Sequence, residues 1–173
     1  MITENSIIPG VYESINETFA DNRGSFDVVF SNYGVPFVHF CSAISKWGVI
    51  RGLHYHIGHT QDRLIRVVLG AVYDVVLDMR VNSPTFGKWE GRLLTSKFSL
   101  FVPKGVAHGY EVLRSSAQID YWFTDYYYPE CERTVLWNDS QLAIDWNLAI
   151  EPIVSEKDRA GRLFINAEYC EEK

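Results

Sequence analysis

Short apolar runs, broken about every ten residues by Gly, Pro, Asn or Ser, set the pattern of this chain. Residues 64–69 read Leu-Ile-Arg-Val-Val-Leu and end at Gly70, and 71–78 continue as Ala-Val-Tyr-Asp-Val-Val-Leu-Asp. Ser99 to Val102 and Ile119 to Thr124 have the same character. Runs this short, and this rich in β-branched and aromatic side chains, predict strands rather than helices. Asn82-Ser83-Pro84-Thr85-Phe86-Gly87 is a turn cluster. Helical character is confined to the tail, where Ser140 to Ile144 predicts one short turn and the segment after Ser155 another. No linker, repeat or low-complexity stretch intervenes, so residues 1–173 are expected to form one domain. The expected fold is all-β, a jelly-roll barrel with a few short peripheral helices and an interior able to hold a ligand.

Composition narrows the function. The 173 residues are 47% hydrophobic and 14% aromatic, enough for a sizeable core and too apolar for disorder. A formal charge of −6 with no basic stripe argues against a nucleic-acid partner, while leaving room for a local cationic pocket for one phosphorylated metabolite. Cys41, Cys131 and Cys170 are odd in number and show no CxxC, which fits reduced thiols in a cytoplasm. Met1 is followed by Ile-Thr-Glu-Asn, and no apolar run approaches the roughly 20 residues of a membrane span, so neither a secretion signal nor a membrane partner is expected.

Two segments carry candidate chemistry. Gly48-Val49-Ile50-Arg51-Gly52-Leu53-His54-Tyr55 places a cation and an imidazole among glycines, and Pro103-Lys104-Gly105-Val106-Ala107-His108-Gly109 sets a second histidine in a Pro/Gly-rich corner. On a strand, Arg51 and His54 face opposite sides, so one pocket holds both only if the chain bends, as Gly52 permits. The plainer reading makes His54 a hydrogen-bonded core histidine and Arg51 a surface ion-pair partner. A metal site of His54, His56 and His108, serving a metal-dependent cupin oxygenase or isomerase, is a further alternative. Against it, Thr60 and Gln61 stand where that pattern has its glutamate ligand. Tyr121 and the run Tyr126-Tyr127-Tyr128 offer phenols or flat rings, but sheets carry such aromatics routinely. Asp158 on its own reads as a helix-start or surface carboxylate.

Together these segments resemble the dTDP-4-dehydrorhamnose 3,5-epimerase family, from about Phe19 to Asp158. The resemblance rests on Asp21-Asn22-Arg23-Gly24-Ser25-Phe26, the Gly48 to Tyr55 run, Gly70 with Tyr73-Asp74-Val75-Val76-Leu77-Asp78, Ser83-Pro84-Thr85-Phe86-Gly87, Val106-Ala107-His108-Gly109 and Trp137-Asn138-Asp139. It implies a double-stranded β-helix (cupin) fold, a homodimer, no metal and no other cofactor. The implied substrate is a nucleotide-linked 4-keto-6-deoxyhexose, dTDP-linked in this family and used in deoxysugar biosynthesis. The ketone acidifies the neighbouring C3 and C5 protons, and opposite-face reprotonation of the enolate inverts the carbon. By resemblance His54 is the base, Asp158 its orienting carboxylate and Tyr121 the general acid. Arg23 and Arg51 take the diphosphate, the former from the partner subunit. Phe19 and Tyr127 pack on the nucleotide, and Gln61, His108 and Asp74 line the sugar pocket.

The chain departs from the family pattern at named positions. Arg63 replaces the oxyanion-stabilising lysine, and its planar head would place the charge differently. The loop from His54 to Arg63 is one residue shorter than is common. The Gln-x-Asn-x-Ser pattern reads His39-Phe40-Cys41-Ser42-Ala43, and Val28 stands in place of a glutamate. With base and acid kept, these changes point to a variant epimerase acting at C3, at C5, at both, or on a differently decorated sugar. A non-catalytic sugar-nucleotide binding cupin is the third reading, set against by the joint presence of His54, Tyr121 and Asp158.

Overall fold

The computed structural model describes residues 2–3, 6–29 and 34–171. Its strands, in chain order, are β1 (Ile2–Thr3), β2 (Tyr12–Ile15), β3 (Glu17–Asp21), β4 (Gly24–Val28), β5 (His39–Lys46), β6 (Val49–His56) and β7 (Arg63–Leu69). There follow β8 (Ala71–Asp78), β9 (Trp89–Thr95), β10 (Phe98–Val102), β11 (Val106–Val112), β12 (Ser116–Phe123), β13 (Glu132–Thr134) and β14 (Ile153–Val154). The helix α1 (Glu156–Arg159) and two 3-10 turns, Pro129–Cys131 and Phe164–Asn166, are peripheral. One sheet runs β1-β2-β10-β7-β12-β5, and the other runs β13-β6-β11-β8-β9 with β14 beside β6. This is the expected all-β jelly roll.

The two sheets bury different faces, which explains how the chain reads. Between them lie Ile65, Val67, Leu100 and Ile119 of the first sheet against Val72, Val76, Val106 and Val112 of the second. The outer face of the second sheet is covered as well: Leu53, Tyr55, Val75, Leu77 and Ala107 pack under Leu142, Trp146, Val154 and Phe164. A sheet buried on both sides needs apolar residues at every position, so 71–78 shows a continuous run and not an alternation. The first sheet leaves part of its outer face to solvent, with Phe40 53% and Ile44 72% exposed.

The sequence-predicted elements hold with shifted ends, and two expectations need correction. Ser140 to Ile144 is not a helix but one hydrogen-bonded turn, in which the Ala143 amide donates to the Asp139 carbonyl at 2.9 Å. Ala143 has a φ of 47°, which breaks any right-handed continuation. After Ser155, helix α1 forms as expected. The corner read at Pro103 to Gly109 ends at Gly105, so His108 and Gly109 lie inside strand β11. Gly109 tolerates that place because its backbone meets another backbone: a Cβ there would stand 2.6 Å from the Arg51 carbonyl oxygen.

Candidate active site

The bend required for Arg51 and His54 to share a pocket is present in β6. His108 pairs with His54 and Tyr110 with Arg51, so two steps along β11 match three along β6. This extra residue is a β-bulge. It returns Arg51 and His54 to one face while Ile50 and Leu53 both enter the outer core. Gly52 sits in the bulge with a φ of 114°, and a Cβ there would come within 2.6 Å of the Gly109 Cα. Both the backbone conformation and the close approach therefore require glycine.

His54 is about a quarter exposed and donates from Nε2 to Asp158 Oδ1 at 2.6 Å, while Asp158 is buried. The tautomer set by that bond leaves Nδ1 with a free lone pair. Asp158 arrives on α1, whose first turn is capped by the Ser155 hydroxyl accepting from the Asp158 amide. Burial works to raise the Asp158 pKa, but the His54 hydrogen bond and charge, Ser155 and the Gly52 amide outweigh it and hold it below the ordinary value.

Beside this pair stands a second one. His108 donates from Nε2 to Asp74 Oδ2 at 2.6 Å, both residues being buried. The Tyr121 ring meets the His108 ring edge-on at 6.3 Å between centroids and stacks on Phe123 at 5.9 Å. Burial, aided by the Tyr110 phenol, pushes the Tyr121 pKa well above the usual phenol value, so it is held as a proton donor. Tyr121 lies on β12 of the first sheet and His54 on β6 of the second, so they belong to opposite walls of the barrel.

Arg63 is 5% exposed and bonds the His54 carbonyl through Nη1 at 3.3 Å. Burial pushes its pKa down to about 10, which still leaves it charged at neutral pH. Buried polar atoms with no hydrogen-bond partner include Arg63 Nε, Asp74 Oδ1 and Gln61 Oε1. Such atoms are costly unless something else satisfies them, and Arg66 Nε and Arg92 Nε are in the same state. Arg51 is exposed and donates from Nε to Ser45 Oγ at 3.0 Å, and Ser45 Oγ lies 3.0 Å from the Tyr110 phenol oxygen. Sequence reasoning passed over Ser45 and Tyr110. The available signal was the alternation along β5, which puts His39, Cys41, Ala43 and Ser45 on one face, opposite Phe123, Tyr121, Ile119 and Ala117.

Tyr127 also belongs to this neighbourhood, its ring standing edge-on to His56 at 6.2 Å. Phe19 and Arg23 do not join the site. Both sit on the exposed β3–β4 hairpin, where Arg23 pairs with Asp21 at 2.6 Å. The three imidazoles of the metal alternative also have separate engagements. His54 binds Asp158, His108 binds Asp74, and buried His56 lies 3.3 Å from the Gln61 amide nitrogen. Among the described residues, no three His, Cys, Asp or Glu side chains converge as metal ligands would.

Known proteins resemble this chain along most of its length. A family model described as dTDP-4-dehydrorhamnose 3,5-epimerase matches residues 5–166. A protein of that name from Pseudomonas aeruginosa is 42% identical over 174 residues, covering 93% of this chain and 94% of the relative. One from Neisseria gonorrhoeae is 43% identical over 161 residues, covering 88% of this chain but 49% of that protein, so the chain spans about half the length of this relative. The crystal structure of a Legionella pneumophila dTDP-6-deoxy-D-glucose-3,5-epimerase, in complex with dTDP-4-keto-L-rhamnose, superposes with a TM-score of 0.92 at 38% identity, covering 97% of this chain and 94% of that one. A matched model spanning most of the chain, near full-length relatives and a shared barrel make this chain a member of the dTDP-4-dehydrorhamnose 3,5-epimerase family.

Proposed function

We propose that residues 1–173 act as one cupin epimerase domain that inverts C3, C5 or both in a dTDP-linked 4-keto-6-deoxyhexose, in cytoplasmic deoxysugar biosynthesis. The observation that carries this reading is the placement of an Asp-bound imidazole and a protonated phenol on opposite sheets of the barrel, each beside His108. Inversion needs a proton removed from one face of a carbon and returned to the other, so base and acid must approach from two sides.

His54, with Nε2 committed to Asp158, accepts the carbon-bound proton at Nδ1, and Asp158 stabilises the imidazolium that results. The electrons left on carbon move into the C4 carbonyl. Arg63, already charged and sparsely bonded, offers its guanidinium to the enolate oxygen. Tyr121 delivers a proton to the opposite face and is recharged from solvent. The buried His108–Asp74 pair holds the neighbouring wall and, with Gln61, orients the sugar. Arg51 faces the diphosphate with a fork of donors, and Tyr127 gives the nucleotide a flat surface.

Phe19 and Arg23, remote from their own chain's site, fit a homodimer in which each hairpin serves the neighbouring pocket. The exposed apolar residues Phe40 and Ile44 on the first sheet supply surface for such an interface. Incubation with dTDP-4-keto-6-deoxyglucose in deuterated buffer, followed by proton NMR, tests the reading. Loss of the C3 signal, the C5 signal or both is expected, and it names the carbons that are deprotonated. Retention of both signals under conditions where the nucleotide sugar binds would leave a binding protein and overturn the proposal.

A further inference from the structure

Close to the His54–Asp158 pair lies a carboxylate that ties three separate segments together. Strand β13 pairs with β6 so that Thr134 is opposite His54 and Glu132 opposite His56. Thr134 and Glu132 therefore share the face of the two histidines, while Arg133, of opposite parity, turns away to bond Glu168. Glu132 Oε2 accepts from the Tyr127 hydroxyl at 2.7 Å and forms a short ion pair with Lys157 Nζ. Lys157 immediately precedes Asp158 on the four-residue helix α1. Tyr127 comes from the loop after β12. One carboxylate oxygen thus joins the aromatic surface proposed for the nucleotide to the turn that delivers the base's partner.

The helix needs such a tie. A single turn of four residues has little stability of its own, and its Ser155 cap fixes only its start. The Glu132 side chain is 12% exposed and Lys157 53% exposed. Burial alone would raise the Glu132 carboxyl, yet Lys157 and Tyr127 hold it below the ordinary range. The Tyr127 phenol is in turn pushed up to about 12, chiefly by its bond to Glu132, so it remains the donor.

We infer that Glu132 is a positioning residue that acts through Lys157 on the alignment of Asp158 with His54, and through Tyr127 on nucleotide binding. The inference rests on the dyad proposed above. It predicts that the two arms separate in kinetics. Lys157→Met should lower kcat about tenfold with KM little changed, and Tyr127→Phe should raise KM with kcat largely kept.

A double-mutant cycle with Asp158→Asn provides the test, using the full chain and dTDP-4-keto-6-deoxyglucose. If Lys157 works through Asp158, its replacement by Met in the Asp158→Asn background should cost less than about twofold. Lys157→Arg in the wild-type background should restore most of the lost turnover. Because the lysine is exposed, the thermal midpoint of Lys157→Met should stay close to the wild type. An equal loss from Lys157→Met in both backgrounds, or no loss in either, overturns the inference alone. An Asp158→Asn variant as active as the wild type overturns the dyad and the inference with it.

Discussion

His54 and His108 are direct partners across strands β6 and β11, yet each is held by a different carboxylate at the same 2.6 Å. Asp158 comes from a C-terminal helical turn and Asp74 from strand β8. His108 and Asp74 are both almost wholly buried, whereas His54 keeps about a quarter of its side chain open. The same residue type in paired positions is thereby divided into a sealed pair and an accessible one.

Arg63 places a charge where burial outweighs the attraction of Tyr121, Glu132, Asp74 and Asp62. Its burial depresses the guanidinium to about 10, equivalent to roughly 3 kcal/mol of unfavourable desolvation. Replacing it with Met should raise the urea unfolding free energy by about 1–3 kcal/mol. The same change should lower kcat about 10²–10³-fold if the guanidinium stabilises the enolate. Equal or lower stability with full activity would remove Arg63 from both roles.

His56 makes the fold acid-sensitive in a defined window. Burial first, then the Arg63 charge, push its pKa down to about 4 from an ordinary 6.5. Below pH 6.5 the unfolded chain takes up a proton that the folded chain refuses until about pH 4. Its contribution to stability is therefore complete above pH 6.5 and is lost on acidification towards pH 4, by up to about 3 kcal/mol. Urea midpoints measured from pH 7.5 to 4.5 should fall less steeply for His56→Gln than for the wild type. Parallel curves would assign the acid sensitivity elsewhere.

Gly109 should resist even a methyl group. A Cβ there meets the Arg51 carbonyl at 2.6 Å and Leu53 Cδ2 at 2.9 Å. Relief requires β6 to move away from β11, at a cost of about 1–3 kcal/mol. Because β6 carries both Arg51 and His54, turnover should fall along with the thermal midpoint. A Gly109→Ala protein with both unchanged would show that the two backbones need not be this close.

Tyr121→Phe separates the two halves of the reaction. Proton removal by His54 continues, so solvent deuterium should still enter the substrate, while inversion slows markedly. Unchanged inversion would take the phenol out of the mechanism.

Much of this was legible in the sequence because the fold is written in short-range signals. The runs at 64–69 and 71–78 are strands, and the glycine of the Arg51-Gly52-Leu53-His54 segment does allow the bend both side chains need. Other motifs proved to serve the scaffold. Ser83 and Thr85 of the turn cluster donate to Asp78, which also takes Arg80, and Asp139 of Trp137-Asn138-Asp139 caps the amides of Gln141, Leu142 and Phe164. What the sequence hides is set by topology. Glu132 and Lys157 are ordinary charged residues until β13 and α1 reach β6 from different directions. The need for glycine at 109 appears only when β11 lies against the bulge.

Solvent-deuterium exchange into dTDP-4-keto-6-deoxyglucose, compared between the wild type and His54→Ala, bears hardest on the mechanism. The wild type should exchange its C3 or C5 protons readily, and the variant, lacking the Asp158-held base, should lose that exchange by at least about 10³-fold while still binding the nucleotide sugar. Full exchange in His54→Ala would mean that another group removes the proton, and the pairing of His54 with Asp158 would then have to be read as structural.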